Sequence, residues 1–254
     1  MGVVPLSSVT KIGRGLSTNT AICATGIVVA LVSEAQTLTS QSAKPDCITP
    51  LPDGASLYVS GMGPKAARRA AEALVAAGAT ALAVFGVAGA LSDQLRNGAL
   101  FCPERVLDEE GHAYATDSAW CTSLQQQLTA VKGTLLSVAS PLLTATAKNT
   151  AHQRYAALAV DMESAAVASV AEHHALPFVV LRAIVDEVDD AIPEALNGSV
   201  DAWGRPRPLQ LLAALCGHPS LLGELPRLYS RMQRATQALR AAAEATGPTL
   251  GWHR

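Results

Sequence analysis

The chain has 254 residues, 49% of them hydrophobic and only 16% charged, which describes a protein with a generous core and not a disordered one. A net charge of −2 offers no electrostatic footprint for nucleic acid. The five cysteines (Cys23, Cys47, Cys102, Cys121, Cys216) are odd in number and form no CxxC pair, which argues against a disulfide frame or zinc site and predicts reduced core thiols in a cytoplasmic protein.

Residues 1–20 are polar and rich in Gly, Ser and Thr; they are expected to be a poorly ordered lead-in without the pattern of a cleavable signal. A domain follows over 21–254. Ile22 to Val32 is a β-rich apolar run that ends at Ser33-Glu34, and residues 39–54 read as loop. No apolar run reaches the ~18 positions that a membrane helix needs. Leu57 to Ser60 is a short strand entering Gly61-Met62-Gly63. Pro64 then suits the first position of a helix that runs to about Ala77 and stops at Gly78. Ala81 to Phe85 is a buried strand feeding Gly86-Val87-Ala88-Gly89. Two β-rich runs follow, near Leu100 to Val106 and Thr134 to Ala139, with a helix over Ser118 to Val131 between them.

Glu163 opens an apolar helix pattern, and Asp186 closes the apolar strand Phe178 to Val185. Pro193 to Pro208 reads as loop, and helices are predicted over about 208–215 and 219–245. Buried strands alternating with helices give an α/β fold, one domain built on one main sheet.

Two carboxylates inside apolar runs need a reason, because burying an unpaired charge costs several kcal/mol or forces protonation. A structural ion pair with Arg182 is the plain alternative. The ends of buried strands are where open α/β sheets hold ligands, and three strand ends carry Glu34, the glycine turns and Asp186. Neither glycine turn matches GxGxxG or GxxxxGK[ST], so a dinucleotide site or P-loop is not expected. The pattern suggests a small neutral ligand with hydroxyls to be gripped. His173 and His174 show no metal-ligand spacing, and no GxSxG elbow is present; metals and cofactors are expected to be none. Lys148 is not expected to contact an anion, and Asp189 and Asp190 are expected to cap or hydrate a loop. Residues 204–254 hold seven Arg, no Lys and two Glu, a basic end that suits a solvated helix face or an anionic membrane surface.

Taken in order, Glu34, Ser60-Gly61-Met62-Gly63, Phe85 to Leu91, Val160-Asp161-Met162-Glu163-Ser164-Ala165-Ala166 and Arg182-Ala183-Ile184-Val185-Asp186 resemble the purine nucleoside phosphorylase / methylthioadenosine nucleosidase superfamily. The segment from Asp186 through Ile192-Pro193-Glu194-Ala195, Trp203-Gly204-Arg205 and Leu209 to Leu239 is similar to its hopanoid-biosynthesis-associated branch. The resemblance implies a three-layer fold with a central mixed sheet, homo-oligomeric assembly and release of adenine from adenosylhopane, a nucleoside with an apolar 5′ group. It makes Asp186 the acid that protonates purine N7 and Glu34 the carboxylate that positions the attacking water. Glu163 would bind the ribose hydroxyls over Met162, with Gly61, Gly63, Val87, Gly89 and Leu143 as further substrate contacts.

The chain also departs from that pattern. Val84 stands where bacterial phosphorylases carry a phosphate-binding Arg, and Val87 stands where a hydroxyl is usual, which favours hydrolysis over phosphorolysis. Val185 replaces the Ser that often precedes the acid, and Ala90 replaces a glycine. Ser140-Pro141-Leu142-Leu143 lies where relatives often supply a stacking Phe, so an aliphatic wall is expected. The rival readings are a methylthioadenosine or S-adenosylhomocysteine nucleosidase, a phosphate-dependent phosphorylase, and a nucleoside-binding protein without chemistry. A cytoplasmic enzyme with its Arg-rich end on the inner membrane face is the expected setting.

Overall fold

In a computed structural model, the chain is described over residues 25–191, 193, 200–208, 210, 215, 217, 218 and 221–252. β1 (Thr25–Val29) leads into α1 (Val32–Leu38), β2 (Ile48–Pro50), β3 (Ser56–Val59), α2 (Pro64–Ala76) and the long β4 (Ala81–Ala90). Next come β5 (Leu100–Phe101), β6 (Arg105–Leu107), β7 (Ala113–Ala115), α3 (Ser118–Leu128) and β8 (Thr134–Ser137). α4 (Ala145–Tyr155), β9 (Ala159–Asp161), α5 (Ser164–His173), β10 (Phe178–Asp186) and α6 (Leu221–Thr246) complete the order.

The strands form one mixed sheet in the order β2-β3-β1-β4-β9-β8-β6-β7, with β10 alongside β4 and β5 on β10. β1, β3, β4 and β10 run parallel, while β9 meets the end of β4 antiparallel through Gly89 and Ala90. Alternate residues of the central strands enter two cores, as the pleat requires. Val28, Leu82, Val84 and Val180 pack with α2 and α5 on one face. Ile27, Ala83, Phe85 and Leu181 pack on the other face with residues of α1, α3 and α6. The fold is therefore a single α/β domain with helices on both faces of the sheet. Burial on both faces explains why its strands read as unbroken apolar runs.

Several boundaries differ from expectation. The apolar run from Ile22 does not reach Glu34 as strand: it stops at Val29, and α1 begins at Val32. The Gly86–Gly89 run does not leave the sheet, because β4 continues through it to Ala90 and keeps β10 as its partner. Leu100 to Val106 is split into β5 and β6, and β7, α4 and β9 have too little apolar periodicity to be seen in the sequence. The helix predicted over 208–215 and residues 1–20 lie largely outside the described residues. Cys102 and Cys121 are buried free thiols as expected, but Cys47 is exposed; Cys23 and Cys216 fall outside the described residues.

Candidate active site

Glu34 sits in the first turn of α1, where the opening N–H groups lack partners within the helix. Its carboxylate takes Ala30 and Leu31 N–H on Oε2, at 2.9 and 2.8 Å, and Val87 N–H on Oε1 at 2.8 Å. These bonds span the end of β1 and the middle of β4 and fix the group at 2% exposure. Burial pushes its pKa up to about 7, against the opposing pull of the Arg182 charge and of the Leu31 and Val87 N–H bonds. Gly86 makes this approach possible. A Cβ there would stand 2.3 Å from Glu34 Oε1 and 2.7 Å from Arg182 Nη1.

Glu163 caps α5 and is held from two sides. Gly63 N–H donates to its Oε1 at 2.9 Å, and Arg182 Nη2 donates to its Oε2 at 3.0 Å. Arg182 also binds Asp161 Oδ2 through Nε at 3.0 Å and through Nη2, and Ser164 Oγ donates to the same oxygen. Asp161 Oδ1 accepts Ser164 N–H at 3.2 Å and so ties the end of β9 to the start of α5. Burial works against the Arg182 charge, but Asp161, Glu163 and Glu34 outweigh it and raise its pKa, so the guanidinium stays charged. Burial raises the Glu163 carboxyl, with the Arg182 charge pulling it back.

Asp186 ends β10, just past a register shift between Ile184 and Asp186. Such a bulge re-aims a side chain, and here it brings Asp186 over Gly89, where a Cβ would lie 3.0 Å from Oδ2. Lys148 of α4 reaches the same carboxylate as an ion pair. Burial raises the Asp186 pKa, and the Lys148 charge and hydrogen bond oppose that rise.

Glu34, Glu163 and Asp186 line one cavity of about 150 Å³. Met62, Val87, Gly89 and Met162 line it too, while Val138, Pro141, Leu142, Val160 and Val185 make its wall aliphatic. Met62 is 39% exposed and stands at the mouth. Gly63 serves from behind, through its bond to Glu163. Gly61 has φ +84° and lies beside Ala202 and Trp203, whose segment covers the Gly61-Met62 turn through the bond from Met62 N–H to the Ala202 carbonyl at 2.7 Å. Leu143 is not among the lining residues; its neighbour Leu142 is. No aromatic side chain lines the cavity among the described residues.

The sequence model of the Phosphorylase superfamily matches residues 53–215, well over half of the chain. The chain belongs to the phosphorylase superfamily. Glu34 lies outside the matched range, and the fold brings it to the Glu163 and Asp186 segments inside it. Among solved structures, this phosphorylase-superfamily chain is similar to a 5′-methylthioadenosine/S-adenosylhomocysteine nucleosidase from Neisseria meningitidis bound to methylthio-immucillin-A, with a TM-score of 0.61 at 16% identity over 86% of this chain and 96% of that one. A nucleosidase of the same kind from Colwellia psychrerythraea, in complex with adenine, gives 0.59 at 20% identity over 77% and 95%. The futalosine hydrolase of Helicobacter pylori gives 0.60 at 18% identity over 87% and 97%. At these identities the likeness establishes the fold. The curated proteins contain no match to the chain.

Asp161 lies within the quoted motif, but its bond to Arg182 is invisible without the fold. Lys148 was not expected to contact an anion; the structure corrects this, because α4 buries it against the Asp186 carboxylate as an ion pair.

Proposed function

We propose that this protein hydrolyses the N-glycosidic bond of a 5′-modified adenosine and releases adenine, with adenosylhopane as the substrate. One observation carries the reading: a single cavity is lined by Glu34, Asp161, Glu163 and Asp186, and the carboxyl groups of Glu34, Glu163 and Asp186 are each held differently. Asp186, with its raised pKa, is the group suited to hold a proton for purine N7, and such acid help contributes ~10²–10⁴-fold. Glu163, fixed by Arg182 and Gly63, can accept ribose hydroxyls and face the positive charge that builds on the sugar. Glu34, near 7, gains and loses a proton at neutral pH and can take one from water. The division of labour parallels glycoside hydrolysis, in which one carboxyl is the acid and another serves the nucleophile.

Phosphate has little to hold it here. Val87 contributes its N–H to Glu34 and not to an anion, and among the described residues no cation lines the cavity; Arg182, the nearest to Glu34, is already engaged by Asp161 and Glu163. The aliphatic wall and Met62 at the mouth suit an apolar 5′ group. A nucleosidase for methylthioadenosine is the second reading, favoured by the fold shared with such enzymes. Steady-state comparison of methylthioadenosine with an adenosine bearing a long apolar 5′ chain, each with and without phosphate, separates the readings. The proposal expects free sugar as product, no phosphate dependence and a higher kcat/KM for the long chain. A phosphorylated sugar, or a preference for methylthioadenosine, overturns it in part or whole.

Arg227, Arg234 and Arg240 are exposed on α6 together with Leu222 and Tyr229, and Arg205 and Arg207 are exposed ahead of it. No helix among the described residues is long and apolar enough to cross a membrane. We assign this exposed, Arg-rich part of the chain to the surface of an anionic bilayer, where the substrate resides. Co-sedimentation with anionic vesicles that weakens with salt is the expected result; equal binding to neutral vesicles contradicts it.

A further inference from the structure

α4 has an unusual inward face. Only Lys148 and Ala151 of this helix are buried, and Lys148, at 1% exposure, is the deeper. A buried ammonium needs an acceptor for each of its three donors. Lys148 finds them all on one turn of chain: the Asp186 carboxylate, the Glu187 carbonyl at 2.7 Å and the Asp190 carbonyl at 3.1 Å.

That turn is braced from outside. Asp190 Oδ2 accepts the Glu187 N–H at 2.9 Å, and its Oδ1 pairs with Arg231 of α6. Glu187 in turn accepts the Asn97 N–H and Arg96 Nη1, both at 3.0 Å. Asn97 Nδ2 donates to the Ile184, Val185 and Arg231 carbonyls. Lys148 therefore meets a rigid acceptor set in which one member, Asp186, also lines the cavity. Replacing a buried ion pair by apolar residues is often neutral or stabilising, so stability alone does not account for it. Val185, next to Asp186, has no side-chain donor to offer; the fold supplies one from α4 instead.

We propose that Lys148 aims Asp186 and stands behind it as the source of the proton that Asp186 passes to the departing base. This assignment rests on the adenine-releasing reading of the site. The Lys148 ammonium passes a proton to the Asp186 carboxylate, and Asp186 hands that proton on to purine N7. The bond from the sugar C1′ to N9 breaks, and its electron pair stays with the base. Water adds to C1′ and passes its proton to Glu34. Solvent then returns a proton to the Lys148 amine and takes one from Glu34, so the cycle closes without net gain or loss.

The test is the pH dependence of adenine release from a 5′-alkyl adenosine by wild type, Lys148→Met and Lys148→Gln, with thermal melts as the check on folding. The wild type is expected to hold its kcat through the alkaline range in which a lone carboxyl has already ionised. In both variants kcat is expected to fall ~10²-fold with KM within about threefold, and the alkaline limb to move to lower pH, since a carboxyl loses its proton before an ammonium does. A uniform drop with an unmoved alkaline limb leaves Lys148 a purely structural ion and overturns the assignment. A wild-type alkaline limb at a carboxyl-like pKa overturns it without any variant. No adenine release by the wild type removes the proposed function and this assignment together, whereas release with an unmoved limb in the variants removes only the latter.

Discussion

Arg182 donates to Asp161 and Glu163 from one guanidinium that is 1% exposed, so the cavity-lining Glu163 carboxylate and the β9–α5 corner share a single cation. Its removal leaves two buried carboxylates without their charge partner. Breaking a buried pair in this way costs about 3–5 kcal/mol. Arg182→Met is therefore expected to lose stability of that order in urea denaturation, and KM for the nucleoside is expected to rise as Glu163 loses its aim. A loss under about 1 kcal/mol would show that the cation is not what holds the corner.

In the proposed reaction Glu34 takes a proton from water and works ionised, so it is expected to set the acid side of the activity profile, with kcat/KM rising with pH through a midpoint near 7. The same raised pKa has a stability sign. Protonated Glu34 favours the folded state, a contribution present below its ordinary value of 4.5 and lost as pH rises through about 7. Glu34→Gln is expected to abolish the acid limb and to flatten the fall in unfolding free energy over that window by about 3 kcal/mol. Parallel pH series of activity and chemical denaturation check both.

Gly86 and Gly89 are expected to differ sharply when each is replaced by Ala. A Cβ at Gly86 meets Glu34 Oε1 at 2.3 Å and Arg182 Nη1 at 2.7 Å, both fixed by other bonds, so Gly86→Ala must displace one of them. A Cβ at Gly89 meets Asp186 at 3.0 Å, a tight contact that a small shift relieves. Melting temperatures and kcat/KM of the two variants are the measurement. Gly86→Ala is expected to lose both stability and activity, and Gly89→Ala chiefly activity. Equal tolerance at Gly86 contradicts the packing described.

Much of this was legible in the residues. The central strands announced themselves because a sheet buried on both faces gives continuous apolar runs, and Gly63-Pro64 and Gly78 bounded α2 nearly to the residue. Glu34, Glu163 and Asp186 stood out as carboxylates in apolar surroundings, and they do line one cavity. What stayed hidden depends on contacts between distant segments. α4 is mostly polar and exposed, so nothing in its sequence marks Lys148 as its buried residue. Asp190 was expected to cap a loop and does so through the Glu187 N–H, but its partner Arg231, 41 positions on, was read only as part of a basic surface. The start of α1 was missed because Val32 continues the apolar run of β1 while its backbone has already turned helical.

The central claim is that Asp186 hands a proton to adenine as it leaves the sugar. It is tested most directly by following free adenine released from a 5′-alkyl adenosine in phosphate-free buffer, with wild type and Asp186→Asn side by side. The account predicts steady release by the wild type and a kcat lower by ~10²–10⁴-fold in the variant, whose amide has no proton of comparable acidity to give. Release by Asp186→Asn at the wild-type rate would contradict it.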